Sequence, residues 1–255
     1  LHRYHTQEWS RGPIGVVAAM RGMRPGRLWN AADRVLVATD PTLDLATGRR
    51  LPPNVRYTGV VQCPIQPGTH QGNPLVLISL STMFFEGQEA TLQAILDALK
   101  GLPIRGVITT GSVAPNALKA PANVEVHQYL SHDEIMPSAS LVIGHGGHST
   151  TMRALAHGVP LLILPMHRVL DQPMIGKAVA AAGAGQVLPK TASVEEIRNA
   201  VQLLLQDPAY RHAAAAAGVR LRSCNGAVAA ADELESLLRA RARDAATPRT
   251  RGGSR

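Results

Sequence analysis

From residue 74 onward, short apolar runs alternate with segments of helical periodicity, and this alternation constrains the fold more than any other feature. The run PLVLISLS at 74–81 is almost continuously apolar, which is typical of a strand covered on both faces. The segment GQEATLQAILDALKG at 87–101 has leucine and isoleucine at helical spacing and ends in glycine. Further strands are expected at 104–111, 124–130, 140–144, 159–165 and 185–189, and further helices at 149–158, 171–183 and 193–207. This order predicts an α/β fold with a doubly wound, Rossmann-like parallel sheet.

Two of the expected helix starts carry the pattern of a capping box, in which a serine is followed three residues later by a glutamate. The first pair is Ser131 with Glu134, at the start of a short helix, and the second is Ser193 with Glu196. Each pair predicts that the serine side chain accepts a hydrogen bond from the first turn of its helix.

The first 73 residues have a different character. They are rich in arginine, are interrupted by glycine and proline, and contain one clear strand candidate, RVLVATD at 34–40. The stretch 51–74 has the proline and glycine density of a linker. Since the chain begins with leucine, residues 1 to about 58 are expected to be the end of a domain whose beginning is missing.

The net charge of +8 is unevenly distributed along the chain. Residues 1–58 and 239–255 each carry +5, whereas residues 59–238 carry eleven basic and thirteen acidic residues, a net −2. The aromatic content of 3% leaves few rings for stacking on bases, so no nucleic-acid partner is expected. Residues 239–255 are predicted to form a basic disordered tail that starts as a frayed helix end, and this tail is either solvated or in weak contact with an anionic membrane surface.

The sequence predicts a cytoplasmic location. No apolar run approaches the roughly 18 residues that a transmembrane segment needs. Residues 1–30 lack the pattern of a signal peptide. The two cysteines, Cys63 and Cys224, form no zinc or disulfide pattern, which fits a reducing compartment.

A polar, glycine-rich turn separates two of the predicted strands, within LVIGHGGHSTTMRALAHGVPLLILP at 141–165. In parallel α/β sheets, ligands bind at turns that follow the carboxyl ends of strands. Gly146 and Gly147 permit positive φ and close backbone approach, and Ser149 and Thr150 are suited to cap the next helix. The unpaired amides of that helix would attract a phosphate or diphosphate, to which His145 can also donate a hydrogen bond. An ordinary tight strand-to-helix connection explains the same residues equally well.

Three common patterns are absent or incomplete at this turn. The chain has no Gly-x-x-x-x-Gly-Lys-Ser/Thr loop, and the glycines at 144, 146 and 147 do not match a dinucleotide fingerprint. GHSTT resembles a nucleophile elbow with Ser149 as nucleophile, but Thr151 replaces its last glycine. An esterase of the α/β-hydrolase type is therefore the rival enzyme class.

The order of several motifs resembles that of family 1 glycosyltransferases with the two-domain GT-B fold. His145-Gly146-Gly147, then Ser-Thr-Thr, ALAHGVPLLILP and Asp171-Gln172 resemble the nucleotide-sugar-binding signature of that family. YLSH at 129–132 falls where the family has a segment facing the donor's base, and ISLSTMF at 78–84 falls at its first C-domain strand and phosphate-contacting turn. The similarity runs from about residue 30 to about 238 and is densest between 124 and 187.

The resemblance implies a domain organisation in four parts. Residues 1–58 are expected to be a remnant of the N-terminal acceptor domain, and residues 59–73 an interdomain linker. Residues 74–238 would form the nucleotide-sugar-binding domain, followed by the basic tail at 239–255.

The residues that the resemblance implies for donor binding fall into three groups. Those for the diphosphate are His145, Gly146, Gly147, Ser149, Thr150 and Thr82; those for the base are Tyr129 and Leu130; those for the sugar are Asp171 and Gln172. Simpler roles exist for three of them: a strand-end hydroxyl for Thr82, packing for Tyr129, and a helix N-cap for Asp171. No Asp-x-Asp pair is present, so no metal is expected. No cofactor is expected either, and the donor substrate would be a UDP- or TDP-sugar.

Three departures from the family pattern affect these expectations. Arg153 stands where many relatives carry a glutamate for the ribose hydroxyls, and Ser81 stands where glycine is usual in the first turn. The loop between Pro165 and Asp171 is two residues longer than the commonest pattern, which would displace Asp171 and Gln172 from the sugar.

The resemblance places the general base of the reaction, a histidine, in the N-terminal domain. His2 and His5 lie in no catalytic context, so the catalytic residues stay unknown. We therefore expect the donor-binding part of an inverting, metal-independent glycosyltransferase that transfers a sugar from a UDP- or TDP-sugar to a small lipophilic acceptor. By itself the chain is expected to be incomplete and inactive. A non-catalytic nucleotide-sugar-binding module is the main alternative, and a GT-B epimerase is a weaker one.

Overall fold

A computed structural model of the chain describes residues 20–22, 31–44, 50–61, 65–68, 72–168 and 170–246, and the side chains of these residues up to 243. Spatial contacts group the described elements into two compact units. The larger unit holds six strands, β3 to β8, and six helices, α1 to α6. The smaller unit holds strands β1 and β2 and the last helix, α7.

The larger unit is built on one parallel sheet. Its strands run in the spatial order β5-β4-β3-β6-β7-β8, and every neighbouring pair is parallel. The strands are β3 Leu75–Ser79, β4 Arg105–Thr109, β5 Val124–His127, β6 Ala139–Gly144, β7 Leu161–Ile163 and β8 Gly185–Val187. Each coincides with a strand expected from the sequence, so the predicted α/β class and parallel sheet are confirmed.

Four of the helices in the larger unit lie between strands, and the last two follow β8. The helices are α1 Gln88–Leu99, α2 His132–Ile135, α3 His148–Ala156, α4 Gln172–Ala181, α5 Val194–Gln206 and α6 Pro208–Ser223. Short 3-10 turns lie at Pro41–Leu43, Pro115–Ala117 and Met136–Ser138. The helix expected at 87–101 is thus α1, and the helix expected at 149–158 is α3, which begins one residue earlier.

The sheet is buried on both faces. Side chains alternate between the faces of a strand, so Leu77 and its neighbour Ile78 in β3 point in opposite directions, and both are fully buried. Ile78 packs in a core cluster with buried residues of α1 and α5, such as Leu96 and Leu204. Since water reaches neither face here, the nearly continuous apolar character of β3 follows from its position in the middle of the sheet.

The two predicted capping boxes have different outcomes. The Ser193 hydroxyl accepts a hydrogen bond from the Glu196 amide at 3.2 Å, and the Glu196 carboxylate accepts one from the Ser193 amide at 2.7 Å, so this box is confirmed. Ser131 occupies the N-cap position of α2 but its side chain makes no capping hydrogen bond. Since α2 has a single turn, Glu134 already lies near its end, and the predicted box is wrong.

The smaller unit contains a parallel pair of strands, β1 Val35–Val37 and β2 Val55–Tyr57. Its helix α7, Gly226–Ala246, carries Glu233, whose carboxylate pairs with Arg34 at 3.1 Å and with Arg56 at 3.8 Å. β1 lies in the strand expected at 34–40. β2 was missed, because it lies in the stretch 51–74 that has the composition of a linker.

The predicted domain boundaries stay predictions, and the structure describes the first part of the predicted tail. Residues 239–246 belong to α7, so the predicted helix end is present and extends to Ala246. Arg241 in this part pairs with Asp33 at 2.7 Å, which gives the helix end a partner in its own unit. Residues 247–255 lie outside the described residues, as does Cys63.

In the described ranges, none of the helices is both long enough and apolar enough to cross a membrane.

Two adjacent leucines of α5 provide a test of the core. Leu204 is 2% exposed and belongs to the core cluster, whereas Leu203 is 44% exposed. Leu204→Ala is expected to lower the free energy of unfolding by about 2–5 kcal/mol, because it removes buried methyl groups and leaves a cavity. Leu203→Ala should change the same quantity by about 0.5 kcal/mol or less. Urea unfolding followed by circular dichroism measures both, and equal effects would contradict the described packing.

Candidate functional site

The candidate site lies where the order of the strands reverses. From β3 the chain proceeds through β4 and β5 to one edge of the sheet, and from β6 through β7 and β8 to the other edge. β3 and β6 are direct neighbours, and a Cβ atom on Gly144 at the end of β6 would lie 3.3 Å from the Ser79 carbonyl oxygen at the end of β3. Crevices at the carboxyl ends of such strands are the usual ligand sites of open α/β sheets.

The turn after β6 requires both of its glycines. Gly146 has a φ of +85°, and a Cβ atom there would lie 2.9 Å from the carbonyl oxygen of Gln172 and 3.0 Å from Cγ2 of Ile163. A Cβ atom on Gly147 would lie 2.8 Å from Nε2 of His145. The turn therefore packs against the start of α4 on one side and under the imidazole of His145 on the other.

Helix α3 begins at this turn with unpaired amides. Gly147 is its N-cap residue in an extended conformation, and no side chain caps the helix. The first hydrogen bond of the helix runs from the Thr151 amide to the Gly147 carbonyl oxygen at 3.0 Å. The amides of residues 148–150 have no partner among the described residues, and the first turn contains no acid. Thus no acid of the first turn and no capping side chain occupies the positive end of the helix dipole.

The predicted capping role of Ser149 and Thr150 is wrong in one respect. They are the second and third residues of α3, inside its first turn, and not at its N-cap. The backbone of Ser149 is also ordinary helix, since only glycines have positive φ among the described residues. A nucleophile elbow needs a sharp, strained turn at the serine, so the geometry does not favour the esterase alternative.

His145 follows β6 directly and is half-buried. Its Nδ1 atom is buried and has no hydrogen-bond partner among the described residues. Burial lowers the pKa of His145 below its ordinary value, against smaller rises from the Leu80 carbonyl and the Asp171 carboxylate. Burial likewise lowers the pKa of His148, which the Asp171 carboxylate also opposes. Both rings are therefore neutral at pH 7 and close to Asp171.

Asp171 and Gln172 lie at the start of α4 and have different surroundings. Asp171 occupies the N-cap position, but its carboxylate makes no capping hydrogen bond and has no hydrogen-bond partner among the described residues. Gln172 is 3% exposed, and its Oε1 accepts hydrogen bonds from the amides of Met166 at 2.8 Å and His167 at 3.0 Å. Gln172 thus holds the main chain of the preceding loop, whereas the carboxylate of Asp171 is available to a ligand.

The longer loop before Asp171 does not separate this pair from the glycine turn. The main chain of Gln172 lies against Gly146, and the Asp171 carboxylate raises the pKa of both His145 and His148. The extra length is accommodated by loop residues 167, 168 and 170, which are exposed. The expected displacement is therefore not observed relative to the glycine turn.

The remaining predicted residues line a separate cleft of about 180 Å³. Thr82 follows β3, and Tyr129 and Leu130 follow β5. Gly111 brings the two sides together, because a Cβ atom there would lie 2.6 Å from the Ser81 carbonyl oxygen and 3.1 Å from Cα of Thr82. We refer to this space as the β5 cleft. Its small volume fits a part of a ligand and not a whole one, since pockets for drug-sized ligands hold ~300–1,000 Å³.

An ion pair at the β5 cleft was not anticipated. Arg153 of α3 and Asp133 of α2 both line the cleft, and Nη1 of Arg153 lies 2.9 Å from Oδ1 of Asp133. From the sequence, Arg153 is only a departure from the family pattern, and Asp133 has no predicted role. The sequence signal that could have identified Asp133 is its position just after the end of β5, at the same edge of the sheet as the glycine turn.

The structure thus places the predicted residues in two groups at one edge of the sheet. The first surrounds the start of α3 and consists of His145, Gly146, Gly147, Ser149, Thr150, Asp171 and Gln172. The second lines the β5 cleft and consists of Thr82, Tyr129 and Leu130. Arg153 links them, since it lies one turn along α3 from Ser149 and lines the cleft. The two histidines at positions 2 and 5 lie outside the described residues.

A second pocket of about 660 Å³ lies at the carboxyl ends of β7 and β8, with Met166, Pro173 and Lys190 among its lining residues. Within the part of the chain that the structure describes, no three histidine, cysteine, aspartate or glutamate side chains come together to hold a metal ion.

Comparison with known families gives one match over most of this region. Residues 93–232 match the family described as "Erythromycin biosynthesis protein CIII-like, C-terminal domain". The matched range is more than half of the chain and contains the glycine turn, α3 and the start of α4.

Individual relatives and structures agree with this match. The 4'-demethylrebeccamycin synthase of Lentzea aerocolonigenes is 30% identical over 217 residues, which are 81% of this chain and 50% of that protein. UDP-glycosyltransferase 2 of Phaeomoniella chlamydospora is 31% identical over 173 residues, 66% of this chain and 38% of that protein. This chain therefore spans half or less of the length of these two relatives. The solved structure of the calicheamicin glycosyltransferase CalG4 has the same fold, with a TM-score of 0.71 at 24% identity over 90% of this chain and 60% of that chain.

The lowered pKa of His145 predicts how stability depends on pH. The ordinary pKa is 6.5, and the folded value is lower, so between the two the unfolded state binds more protons than the folded state. The free energy of unfolding should therefore fall as the pH is lowered from 7.5 through 6.5, and this loss should level off below the folded pKa. His145→Asn should flatten the slope over that range, as urea unfolding at several pH values would measure. An unchanged slope would contradict the described burial of the ring.

Proposed function

The chain belongs to the erythromycin biosynthesis CIII-like family of glycosyltransferases, whose C-terminal domain it contains, and we propose that it binds the nucleotide-sugar donor at the start of α3. The observation that carries this proposal is the unpaired, uncapped first turn of α3 behind two glycines that leave no room for side chains. A diphosphate would receive hydrogen bonds from the amides of residues 148–150 and would meet the positive end of the helix dipole.

The same arrangement supports a role in the transfer step. When the sugar leaves, negative charge develops on the nucleoside diphosphate, and fixed donors stabilise this charge without reorganising. Helix amides supply such donors. His145 can add one in the tautomer that carries the proton on Nδ1, the ring nitrogen with no hydrogen-bond partner among the described residues. This is the basis on which we propose a metal-independent reaction. We propose inversion at the sugar because the resemblance to family 1 glycosyltransferases implies it.

The rest of the donor extends in two directions from the diphosphate. We place the nucleoside in the β5 cleft, with the base at Tyr129 and Leu130 and with Thr82 at the phosphate end. We place the sugar near Asp171, whose carboxylate has no hydrogen-bond partner among the described residues and can accept hydrogen bonds from sugar hydroxyls. Gln172 is assigned a positioning role, because its side-chain oxygen already accepts two main-chain hydrogen bonds.

The donor is proposed to be a UDP- or TDP-sugar and the acceptor a small lipophilic molecule. One relative is named a UDP-glycosyltransferase, which supports the donor class. We also propose a cytoplasmic location. We further propose that this chain alone supplies the donor-binding part and not the complete transfer reaction, because it spans half or less of the length of these relatives.

Titration of the purified chain with UDP, TDP, NAD and ATP tests the proposal. Calorimetry or a thermal-shift assay should show stabilisation by UDP or TDP, because a ligand that binds only the folded state raises its melting temperature. His145→Ala should weaken this binding about ten-fold, the loss expected for one hydrogen bond to a charged group. The exposed histidine at 212, on α6, provides a matched control, and His212→Ala should bind like the parent. Selective stabilisation by NAD would refute the assignment.

A second variant separates the sugar site from the diphosphate site. Asp171→Ala should bind UDP or TDP at least as tightly as the parent, because it removes a negative charge from the surroundings of the diphosphate site. It should bind UDP-glucose or TDP-glucose several-fold more weakly, because the sugar hydroxyls lose their acceptor. Isothermal titration calorimetry measures the affinity for UDP against that for UDP-glucose, and for TDP against that for TDP-glucose. If the bare diphosphate and its sugar conjugate lose affinity equally, Asp171 does not contact the sugar.

A further inference from the structure

The β5 cleft contains one carboxylate and one guanidinium among otherwise uncharged groups. Its hydroxyl side chains come from residues 79, 81, 82, 109 and 131, together with the phenol of Tyr129. Burial and the nearby Arg153 charge lower the pKa of His132, so this ring is neutral at pH 7. Asp133 and Arg153 therefore determine the charge pattern of the cleft.

The ion pair between them leaves a carboxylate oxygen unused. Nη1 of Arg153 contacts Oδ1 of Asp133 at 2.9 Å, and Asp133 makes no other side-chain hydrogen bond or ion pair among the described residues. The side chain of Asp133 is 68% exposed and that of Arg153 is 29% exposed. Pairs this exposed contribute little to stability, so the contact is not explained as a fold-stabilising feature. The pair places the Asp133 carboxylate beside Arg153 and offsets the charge of Arg153.

The position of the Asp133–Arg153 pair indicates which part of a bound nucleoside diphosphate would lie beside it. Arg153 lies four residues after Ser149, on the same face of α3 and one turn away from the amides assigned to the diphosphate. Tyr129 and Leu130, assigned to the base, line the same cleft as Asp133. In a nucleoside diphosphate, the ribose lies between the phosphates and the base. A carboxylate accepts hydrogen bonds and repels phosphate, so it is suited to hydroxyl donors such as those of ribose.

We propose that Asp133, oriented by Arg153, accepts hydrogen bonds from the ribose hydroxyls of the donor and so selects a ribonucleotide over a 2'-deoxyribonucleotide. This inference rests on the proposed function, and it narrows the donor class from UDP or TDP to UDP, because TDP lacks the 2'-hydroxyl. Asp133 is a specificity-determining residue in this proposal, and Arg153 is a positioning residue that acts through it.

The test compares UDP with 2'-deoxy-UDP, which differ only in that hydroxyl. By isothermal titration calorimetry, the parent chain should bind UDP about ten-fold more tightly than 2'-deoxy-UDP, the ratio expected for one hydrogen bond to a charged group. Asp133→Ala should bring this ratio close to one, mainly by weakening the binding of UDP. The matched control is Glu134→Ala, which removes the neighbouring exposed acid of α2 that does not line the cleft, and it should keep the parent ratio.

Variants of Arg153 test its positioning role. Arg153→Met should lower the UDP to 2'-deoxy-UDP ratio while leaving the melting temperature of the free chain near that of the parent, and Arg153→Lys should restore part of the ratio. A purely structural role would instead change the melting temperature and weaken both nucleotides equally.

The outcomes separate the two proposals. Equal binding of UDP and 2'-deoxy-UDP by the parent, or a ratio that survives in Asp133→Ala, overturns the assignment of Asp133 and leaves the diphosphate site intact. If the parent binds neither nucleotide, both the proposed function and this inference fail.

Discussion

The structure of the larger unit depends on the burial of both faces of its parallel sheet. Strand β3 has fully buried side chains on each face, so no polar group can be placed there without losing its contact with water. Polar side chains and unpaired amides therefore collect at the ends of the strands. At the carboxyl end of β3 and β6, the connections to α1 and α3 meet, and this edge holds every residue of the candidate site.

Close packing of the main chain at this edge explains why the glycine turn can serve as a binding surface. Gly146 brings the start of α3 against the start of α4, and Gly147 leaves room for the imidazole of His145. The first turn of α3 contains no acid, and no capping side chain binds its first amides. The positive charge of the turn is therefore supplied by the main chain, whose geometry is fixed by the sheet, and not by flexible side chains.

The sequence predicts those parts of the molecule in which the physical signal is local. Strands β3 and β6 are continuous apolar runs, and the Ser193 box is a four-residue pattern, so both were found. β2 has only three residues and lies among prolines, where composition indicates a linker. Gln172 was expected to face the sugar, because the sequence does not show that its side chain is buried against the loop amides. The Asp133–Arg153 pair joins an exposed aspartate and a half-buried arginine twenty positions apart, and only the folded structure reveals that they meet.

The two hydrogen bonds to the side chain of Gln172 have an evolutionary consequence. They fix the beginning of the loop at Met166 and His167, while the contact of the Gln172 main chain with Gly146 fixes its end. Insertions between two fixed ends cost little, because loop entropy grows slowly with length. Evolution, or a loop exchange in the laboratory, can therefore substitute or lengthen the residues between these two points without moving Asp171.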